Sequence, residues 1–250
     1  RIGKPVRTIK DIERLRIPEP QEGMSIWLEA LRLAKKELAG RVPLIGWAGA
    51  PLSTAALIIE GGLPTGPTPY HRMKTIMYTE PETLHGLLSK ITEMYIRFTC
   101  AQVEAGADVI MVFDLNAPAV MSPQDYAEFV QPYSSRVLQF AQAADVPVIH
   151  FGTGTASLLP AMKAAGGTVI GVDWRVPLDQ AWESVGYDVA IQGNLDPTVL
   201  LGPMDRILAA TDDVLERAGG RRGHIFNLGH GILPSTPVEH VQAVARHVHE

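Results

Sequence analysis

The sequence is poor in cysteine, in long apolar runs and in positive charge. Its one cysteine, Cys100, excludes an internal disulfide and a zinc site built from several thiolates. No run of eighteen or more apolar residues occurs, and no apolar secretory segment follows the N-terminal residues, so we expect no membrane span and a cytoplasmic location. The 22 Lys and Arg residues against 27 Asp and Glu give a formal charge of −5. Such a chain lacks the basic field that nucleic-acid binding needs.

What the sequence does contain is typical of a folded domain. Hydrophobic residues make up 46% and charged residues 20% of the 250 residues. This composition excludes disordered and fibrous chains, because enough apolar surface is present to bury a sizeable core. The length alone suits either one large α/β domain or two small ones.

Apolar runs bounded by glycine and proline alternate with amphipathic helical patterns along the chain. Continuous apolar runs between helices are typical of parallel strands that are covered on both faces. The predicted strands are 42–49, 108–114, 146–151, 168–174, 188–193 and 224–228. The predicted helices are 24–39, 53–59, 81–105, 122–144, 156–165, 178–184, 204–218 and 237–249.

Polar or glycine residues follow every predicted strand. A barrel mouth is decorated at the end of each strand, whereas a doubly wound sheet concentrates such residues at one switch point. The pattern therefore favours an α/β fold of the (β/α)₈ TIM barrel type. Since six strand–helix units are predicted, we expect residues 1–250 to form a single barrel domain that lacks its first two βα units.

His230 stands out among the eight histidines. It directly follows the last predicted strand, and the flanking Gly229 and Gly231 permit a close approach of backbone to a ligand. An imidazole there could act as an acid, a base or a hydrogen-bond donor to an anionic substrate, or it could simply cap a turn. His150, inside a predicted strand, is expected either to face the barrel interior or to be a hydrogen-bonded core residue.

Three aspartates lie at or just beyond strand ends, namely Asp114, Asp173 and Asp196. For Asp196 a structural role is favoured, because the Asn and Asp side chains of the segment Gly193-Asn194-Leu195-Asp196-Pro197 could cap the next helix. No group of carboxylates and histidines has the spacing of metal ligands, so we predict no metal site.

Four segments, in order and spacing, resemble the uroporphyrinogen decarboxylase family. The C-terminal run from Phe226 to Pro234, which reads FNLGHGILP, is the most distinctive of them. The others are Gly49-Ala50-Pro51 through Glu60-Gly61-Gly62, Gly171-Val172-Asp173-Trp174, and Gln192-Gly193-Asn194-Leu195-Asp196-Pro197. Together these motifs extend the resemblance over essentially the whole chain.

The resemblance implies a (β/α)₈ barrel, usually a homodimer, that decarboxylates the four acetate side chains of uroporphyrinogen. The product is coproporphyrinogen, on the route to heme and chlorophyll, and the reaction needs neither a metal nor an organic cofactor. The implied partners are thus a small-molecule substrate and a second copy of the chain.

The resemblance also assigns site residues. It implies that His230 is catalytic, and that Phe113, Asp114, Gly229 and His230 contact the substrate. Two positions depart from the family pattern, because Leu57 stands where the family has an active-site tyrosine and Leu115 stands where it has a serine. The family's arginine-rich loop and its substrate-binding aspartate would lie upstream of Arg1.

Two other interpretations stay open. A divergent tetrapyrrole-binding protein without catalytic activity would explain why Leu57 and Leu115 are apolar. A relative of the corrinoid methyltransferases would bind zinc through a histidine and two cysteines. His150 occupies a similar strand end, but Gly152 stands where one cysteine is needed.

Overall fold

The computed structural model describes residues 2–63, 69–115 and 118–250. Within these residues, six strands form one parallel sheet in the order β1-β2-β3-β4-β5-β6. The segment 60–67, whose glycine and proline content predicts a loop beside the mouth, lies outside the described residues from position 64 onward. The strands are β1 (Ile45–Gly49), β2 (Val109–Asp114), β3 (Val148–Gly152), β4 (Val169–Gly171), β5 (Ala190–Leu195) and β6 (His224–Leu228).

The strand order confirms the TIM-barrel prediction. In a doubly wound sheet the order reverses at a switch point, whereas here each strand pairs in parallel with the next one along the chain. Consecutive parallel pairing through intervening helices is the topology of a (β/α)₈ barrel, here over six βα units. β1 begins at Ile45 rather than at the predicted position 42, because Pro43 has no N–H to contribute to a ladder.

The helices of the described residues cover the sheet on one side. Their bounds are α1 (Ile9–Glu13), α2 (Pro20–Gly23), α3 (Ser25–Leu38), α4 (Pro51–Glu60), α5 (His71–Thr79), α6 (Pro81–Glu104), α7 (Pro123–Phe129), α8 (Gln131–Ala143), α9 (Leu159–Ala165), α10 (Leu178–Val185), α11 (Met204–Ala218) and α12 (Val238–His249). Short 3₁₀ turns at Pro118–Val120, Ala156–Leu158 and Pro197–Leu201 follow β2, β3 and β5.

Two parts of the helix prediction were wrong. The predicted helix 122–144 is divided into α7 and α8 at Val130, because Pro132 has no backbone N–H to donate to Glu128. The polar N-terminal segment, for which the sequence pattern predicts no helix, contains α1 and α2. A capping box at Thr8 and Asp11 stabilises α1, although the helix is too short to show periodicity.

The two faces of the sheet are occupied differently. Ile110 and Val112 of β2 point toward the helix layer, where they pack with Val137 and Leu138 of α8. Met111 and Phe113, on the other face, contact residues of β3 that include Phe151. We call this second face the inner face, because it corresponds to the interior of the barrel.

The C-terminal ends of the six strands meet at one edge of the sheet, since all of them are parallel. The residues and turns that follow the strands therefore lie together at that edge, as at the mouth of a barrel. No helix of the described residues is long and apolar enough to cross a membrane.

Candidate active site

A cavity of about 590 Å³ opens on the inner face beside β1 and β2. Leu57, Phe113 and Leu115, three of the positions singled out from the sequence, line it together. The other residues of its wall are Ile45, Trp47, Gly49, Ser53, Thr54, Leu63, Tyr70, Tyr95 and Met111. The structure thus brings both positions that depart from the family pattern to one surface.

This cavity has an apolar and aromatic wall. The rings of Trp47, Phe113 and Phe151 follow one another in edge-to-face contacts, with centroids 6.0 and 5.7 Å apart. None of the described residues that line the cavity carries a charge. The wall therefore suits the face of a large planar or ring-shaped ligand, and polar contacts to it must come from hydroxyl and backbone groups.

One hydroxyl pair lies in this wall. The Tyr95 hydroxyl, which α6 supplies, is 2.7 Å from Oγ1 of Thr54 in α4. The backbone of Gly49 lies beside the Tyr95 hydroxyl oxygen. A Cβ at position 49 would lie 2.6 Å from that oxygen and 2.8 Å from Thr54 Oγ1, so only glycine leaves room for the pair. Burial raises the pKa of Tyr95, against the hydrogen bond with Thr54, which keeps the phenol protonated.

Asp114 points away from the cavity. Its carboxylate is fully buried between β2 and the helix layer, where Oδ2 lies 3.2 Å from His150 Nε2 and 3.5 Å from the Ser134 hydroxyl. Ser53 lies 3.3 Å from Oδ1 and 3.0 Å from the carbonyl oxygen of Leu115. Asp114 therefore anchors the end of β2 from behind, while Phe113 and Leu115 face the cavity.

His150 is a core residue, the second of the two alternatives that its strand position allowed. It is fully buried, and its Nδ1 lies 3.2 Å from the carbonyl oxygen of Met162. Its Nε2 faces Asp114, so both ring nitrogens are engaged. Neither nitrogen is left to ligate zinc, and the methyltransferase interpretation loses the histidine on which it depended.

His230 follows β6 at the mouth edge and is exposed. The backbone N–H of Gly231 donates to its Nδ1 over 2.7 Å. Because Nδ1 is the acceptor of this bond, the neutral ring carries its hydrogen on Nε2. His230 thus presents an N–H donor, at Nε2, toward solvent at the mouth.

Gly229 brings the end of β6 against the turn that follows β4. Its N–H donates to the carbonyl oxygen of Leu195 over 2.7 Å. A Cβ at this position would lie 2.6 Å from the backbone nitrogen of Trp174 and 3.1 Å from the carbonyl carbon of Asp173. Since real Cβ atoms do not come so close, glycine is required for this approach, and the approach fixes the position from which His230 projects.

The other two strand-end aspartates stabilise turns. Asp173 is buried, accepts hydrogen bonds from the backbone of Gly154 (2.6 Å) and Arg175 (3.0 Å), and pairs with the Arg175 guanidinium. Asp196 accepts from the backbone N–H of Thr198 over 2.8 Å and so caps the 3₁₀ turn that follows β5. The structural role predicted for Asp196 is confirmed, although the residue caps this 3₁₀ turn and not the helix α11 that follows it.

Sequence reasoning missed Thr54 and Tyr95. A tyrosine within the apolar stripe of a long helix is indistinguishable from a core residue by its pattern alone. The available signal was the three-residue spacing of Thr54 and Leu57, which places both side chains on one face of a helix. Tyr95 gave no such signal, because it lies 41 positions from Thr54 in the chain.

Comparison with known proteins agrees with this geometry. The family model described as uroporphyrinogen decarboxylase matches residues 1–250. The chain belongs to the uroporphyrinogen decarboxylase family. It is 51% identical over 248 residues to a uroporphyrinogen decarboxylase of Sorangium cellulosum and 47% identical over 249 residues to one of Carboxydothermus hydrogenoformans. The alignments cover 99% and 100% of this chain and 70% of each relative.

Solved structures also resemble the chain. A methyltransferase from Methanosarcina mazei aligns with a TM-score of 0.81 at 26% identity and covers 98% of this chain and 69% of its own. A B12-independent methionine synthase from Shewanella aligns with a TM-score of 0.61 at 11% identity over 89% of this chain and 66% of its own, which supports the fold alone. The family members named as decarboxylases are much more similar in sequence than either structure.

Proposed function

We propose that the protein is a carboxy-lyase that decarboxylates the four acetate side chains of uroporphyrinogen to give coproporphyrinogen. The observation that carries the proposal is the family match over the full 250 residues, with His230 held at the mouth of the same barrel. Relatives named uroporphyrinogen decarboxylase that are 44–51% identical to this chain support it further.

The chemistry can proceed without a metal or an organic cofactor. Protonation of a pyrrole carbon turns the ring into an electron sink, and the electrons of the breaking C–CO₂ bond flow into it. The protein then has to hold anionic side chains, favour the cationic ring and supply protons. Hydroxyl, imidazole and backbone groups are adequate for these tasks.

His230 is the catalytic residue of the proposal. Its Nδ1 is occupied by the N–H of Gly231, so the Nε2 hydrogen is available to a substrate carboxylate. A hydrogen bond from an imidazole to a carboxylate orients the group that is to leave as CO₂, while the methylene carbon stays on the ring and takes up a proton to become a methyl group. His230 and the backbone of Gly229 form this part of the site.

The cavity on the inner face is the second part of the site. Phe113, Leu115 and Leu57 offer an apolar wall against which a pyrrole ring packs. Asp114 supports this wall from the helix layer, where its carboxylate lies beside Ser53 and His150, and it does not line the cavity itself.

We also propose that residues 1–250 are part of a single barrel that is closed by two further βα units. Within the described residues β1 and β6 each pair on one side only. Their inner-face side chains are exposed, with Ile45 at 46%, Trp47 at 45% and Ile225 at 43%. The complete reading frame is expected to encode these units, with an arginine-rich loop and an aspartate; a frame without them would contradict this arrangement.

The protein's partners follow from the same proposal. We expect a homodimer in the cytoplasm with uroporphyrinogen as its small-molecule substrate, and no binding of nucleic acid, which the net charge of −5 disfavours. Light scattering coupled to size-exclusion chromatography gives the mass of the assembly.

A tetrapyrrole-binding protein without turnover is the second candidate. It is favoured by one observation, that Leu57 and Leu115 both face the cavity where the family pattern has hydroxyl side chains. The two candidates share the ligand and differ in whether CO₂ is released.

Anaerobic incubation of the protein with uroporphyrinogen tests the proposal. The wild type is expected to convert the substrate to products with fewer carboxylates. His230→Asn should reduce kcat by at least about 100-fold, because it removes the imidazole. His249→Asn, at an exposed position of α12, serves as the matched control and should behave as the wild type. Bound but unchanged substrate would favour the second candidate.

A further inference from the structure

The wall of the cavity contains a hydrogen-bond donor for which the family resemblance gives no counterpart. Thr54 and Tyr95 each bring one hydroxyl hydrogen, and one of these two hydrogens is used in the 2.7 Å bond between them. One hydroxyl hydrogen of the pair is therefore left to donate, whichever residue donates to the other.

That remaining hydrogen is carried by a residue that lines the cavity. Both Thr54 and Tyr95 belong to its wall, and Gly49 has no side chain that could cover them. Ser53, another hydroxyl of the wall, is already engaged by Asp114 and by the Leu115 carbonyl. The acceptors in a carboxylated tetrapyrrole are its carboxylate oxygens, and an O–H donor to a carboxylate makes a strong charge-assisted bond.

The position of the pair fits this role. Thr54 and Leu57 lie three residues apart on α4, so they share one face of the helix and both reach the cavity. Leu57 and Leu115 supply no hydroxyl, and no charged group lines the described part of the wall. A polar substituent directed at this wall thus meets the Thr54–Tyr95 pair.

We propose that the Thr54–Tyr95 hydroxyl pair is a substrate-binding element that donates a hydrogen bond to a carboxylate of the tetrapyrrole. It supplies, from α4 and α6, the donor that residues 57 and 115 do not supply in this chain. The inference rests on the proposed function for the identity of the ligand, but binding and turnover are measured separately in its test.

The test titrates the full-length protein with uroporphyrin, the oxidised macrocycle that carries the same eight carboxylates and does not react, and follows its fluorescence. Thr54→Val and Tyr95→Phe each leave one hydroxyl that can still donate to the ligand. Each single substitution is therefore expected to weaken binding by only roughly threefold. The double variant leaves none and should weaken binding by about 30-fold or more, which exceeds the product of the two single effects.

Matched variants separate binding from folding. Thr54→Ser retains the hydroxyl and should bind within about twofold of the wild type, as should Tyr133→Phe, whose hydroxyl contacts His85 over 2.8 Å rather than the cavity wall. Adding Leu57→Tyr to the double variant returns a hydroxyl to the same helix face and should recover part of the loss. Thermal unfolding of each variant identifies any that has lost its fold.

Two results overturn the inference. One is a folded double variant that binds uroporphyrin within twofold of the wild type, and the other is an equal loss in Tyr133→Phe. If the wild type binds uroporphyrin through the pair but does not turn uroporphyrinogen over, the inference stands and the proposed function fails. If the wild type turns uroporphyrinogen over but the double substitution does not weaken uroporphyrin binding, the proposed function stands and the inference fails.

Discussion

At the scale of the residue, the carboxylate of Asp114 and the imidazole of His150 form a buried pair behind the active-site wall. Both side chains are fully buried, and hydroxyl groups of Ser53 and Ser134 complete the environment of the carboxylate. Tyr126, whose buried hydroxyl has no hydrogen-bond partner among the described residues, has its pKa raised by burial and by the negative charge of Asp114. The family resemblance implied that Asp114 contacts the substrate, but the sequence could not show that its side chain faces the helix layer.

Asp114→Ala should destabilise the protein by about 3 kcal/mol, because His150, Ser53 and Ser134 lose their shared acceptor in a buried environment. The free energy of unfolding in urea measures this loss. Asp205→Ala, at an exposed position in the first turn of α11, should change it by less than about 1 kcal/mol. Equal effects of the two substitutions would contradict the anchoring role.

At the scale of the element, Gly229 permits a close contact between the end of β6 and the turn after β4. Gly229 allows the backbone of β6 to reach Trp174 so closely that no side chain fits between them. His230 follows directly, and the N–H of Gly231 fixes its ring. The geometry of His230, the proposed catalytic residue, thus depends on a contact between two segments that are far apart in sequence.

Gly229→Ala should lower kcat/KM for uroporphyrinogen by about tenfold or more, because the new methyl group pushes β6 away from Trp174 and displaces His230. Gly231→Ala is the comparison, since its Cβ would meet no atom within 4 Å and its N–H is retained. We expect a much smaller loss for it in the same steady-state assay. A Gly229→Ala enzyme as active as Gly231→Ala would contradict the account.

Much of the element order was predictable, whereas the side-chain contacts across elements were not. The apolar runs of β2 and β3 predict strands because a buried parallel strand needs apolar residues on both faces. Because both faces of these strands are apolar, the sequence pattern does not show to which face the side chains of Asp114 and His150 point. The division between α7 and α8 was visible in principle at Pro132, but the continuous helical pattern outweighed it.

At the scale of the whole molecule, the barrel brings its two functional parts to one sheet. The apolar cavity lies beside β1 and β2, and His230 lies at the end of β6. The family resemblance, which the match over residues 1–250 confirms, predicted His230, Leu57 and Leu115 as site positions. It could not predict the Thr54–Tyr95 pair, because that pair depends on how α6 packs against α4 in this chain.

The central claim is that side chains and backbone groups suffice for the decarboxylation. Its most direct test is the amount of CO₂ released per uroporphyrinogen by the full-length protein under anaerobic conditions, after exhaustive dialysis against a chelator. The account predicts four CO₂ for each uroporphyrinogen consumed, with coproporphyrinogen as the final product. Recovery of the substrate with all eight carboxylates, and no CO₂ above the blank without protein, would contradict it.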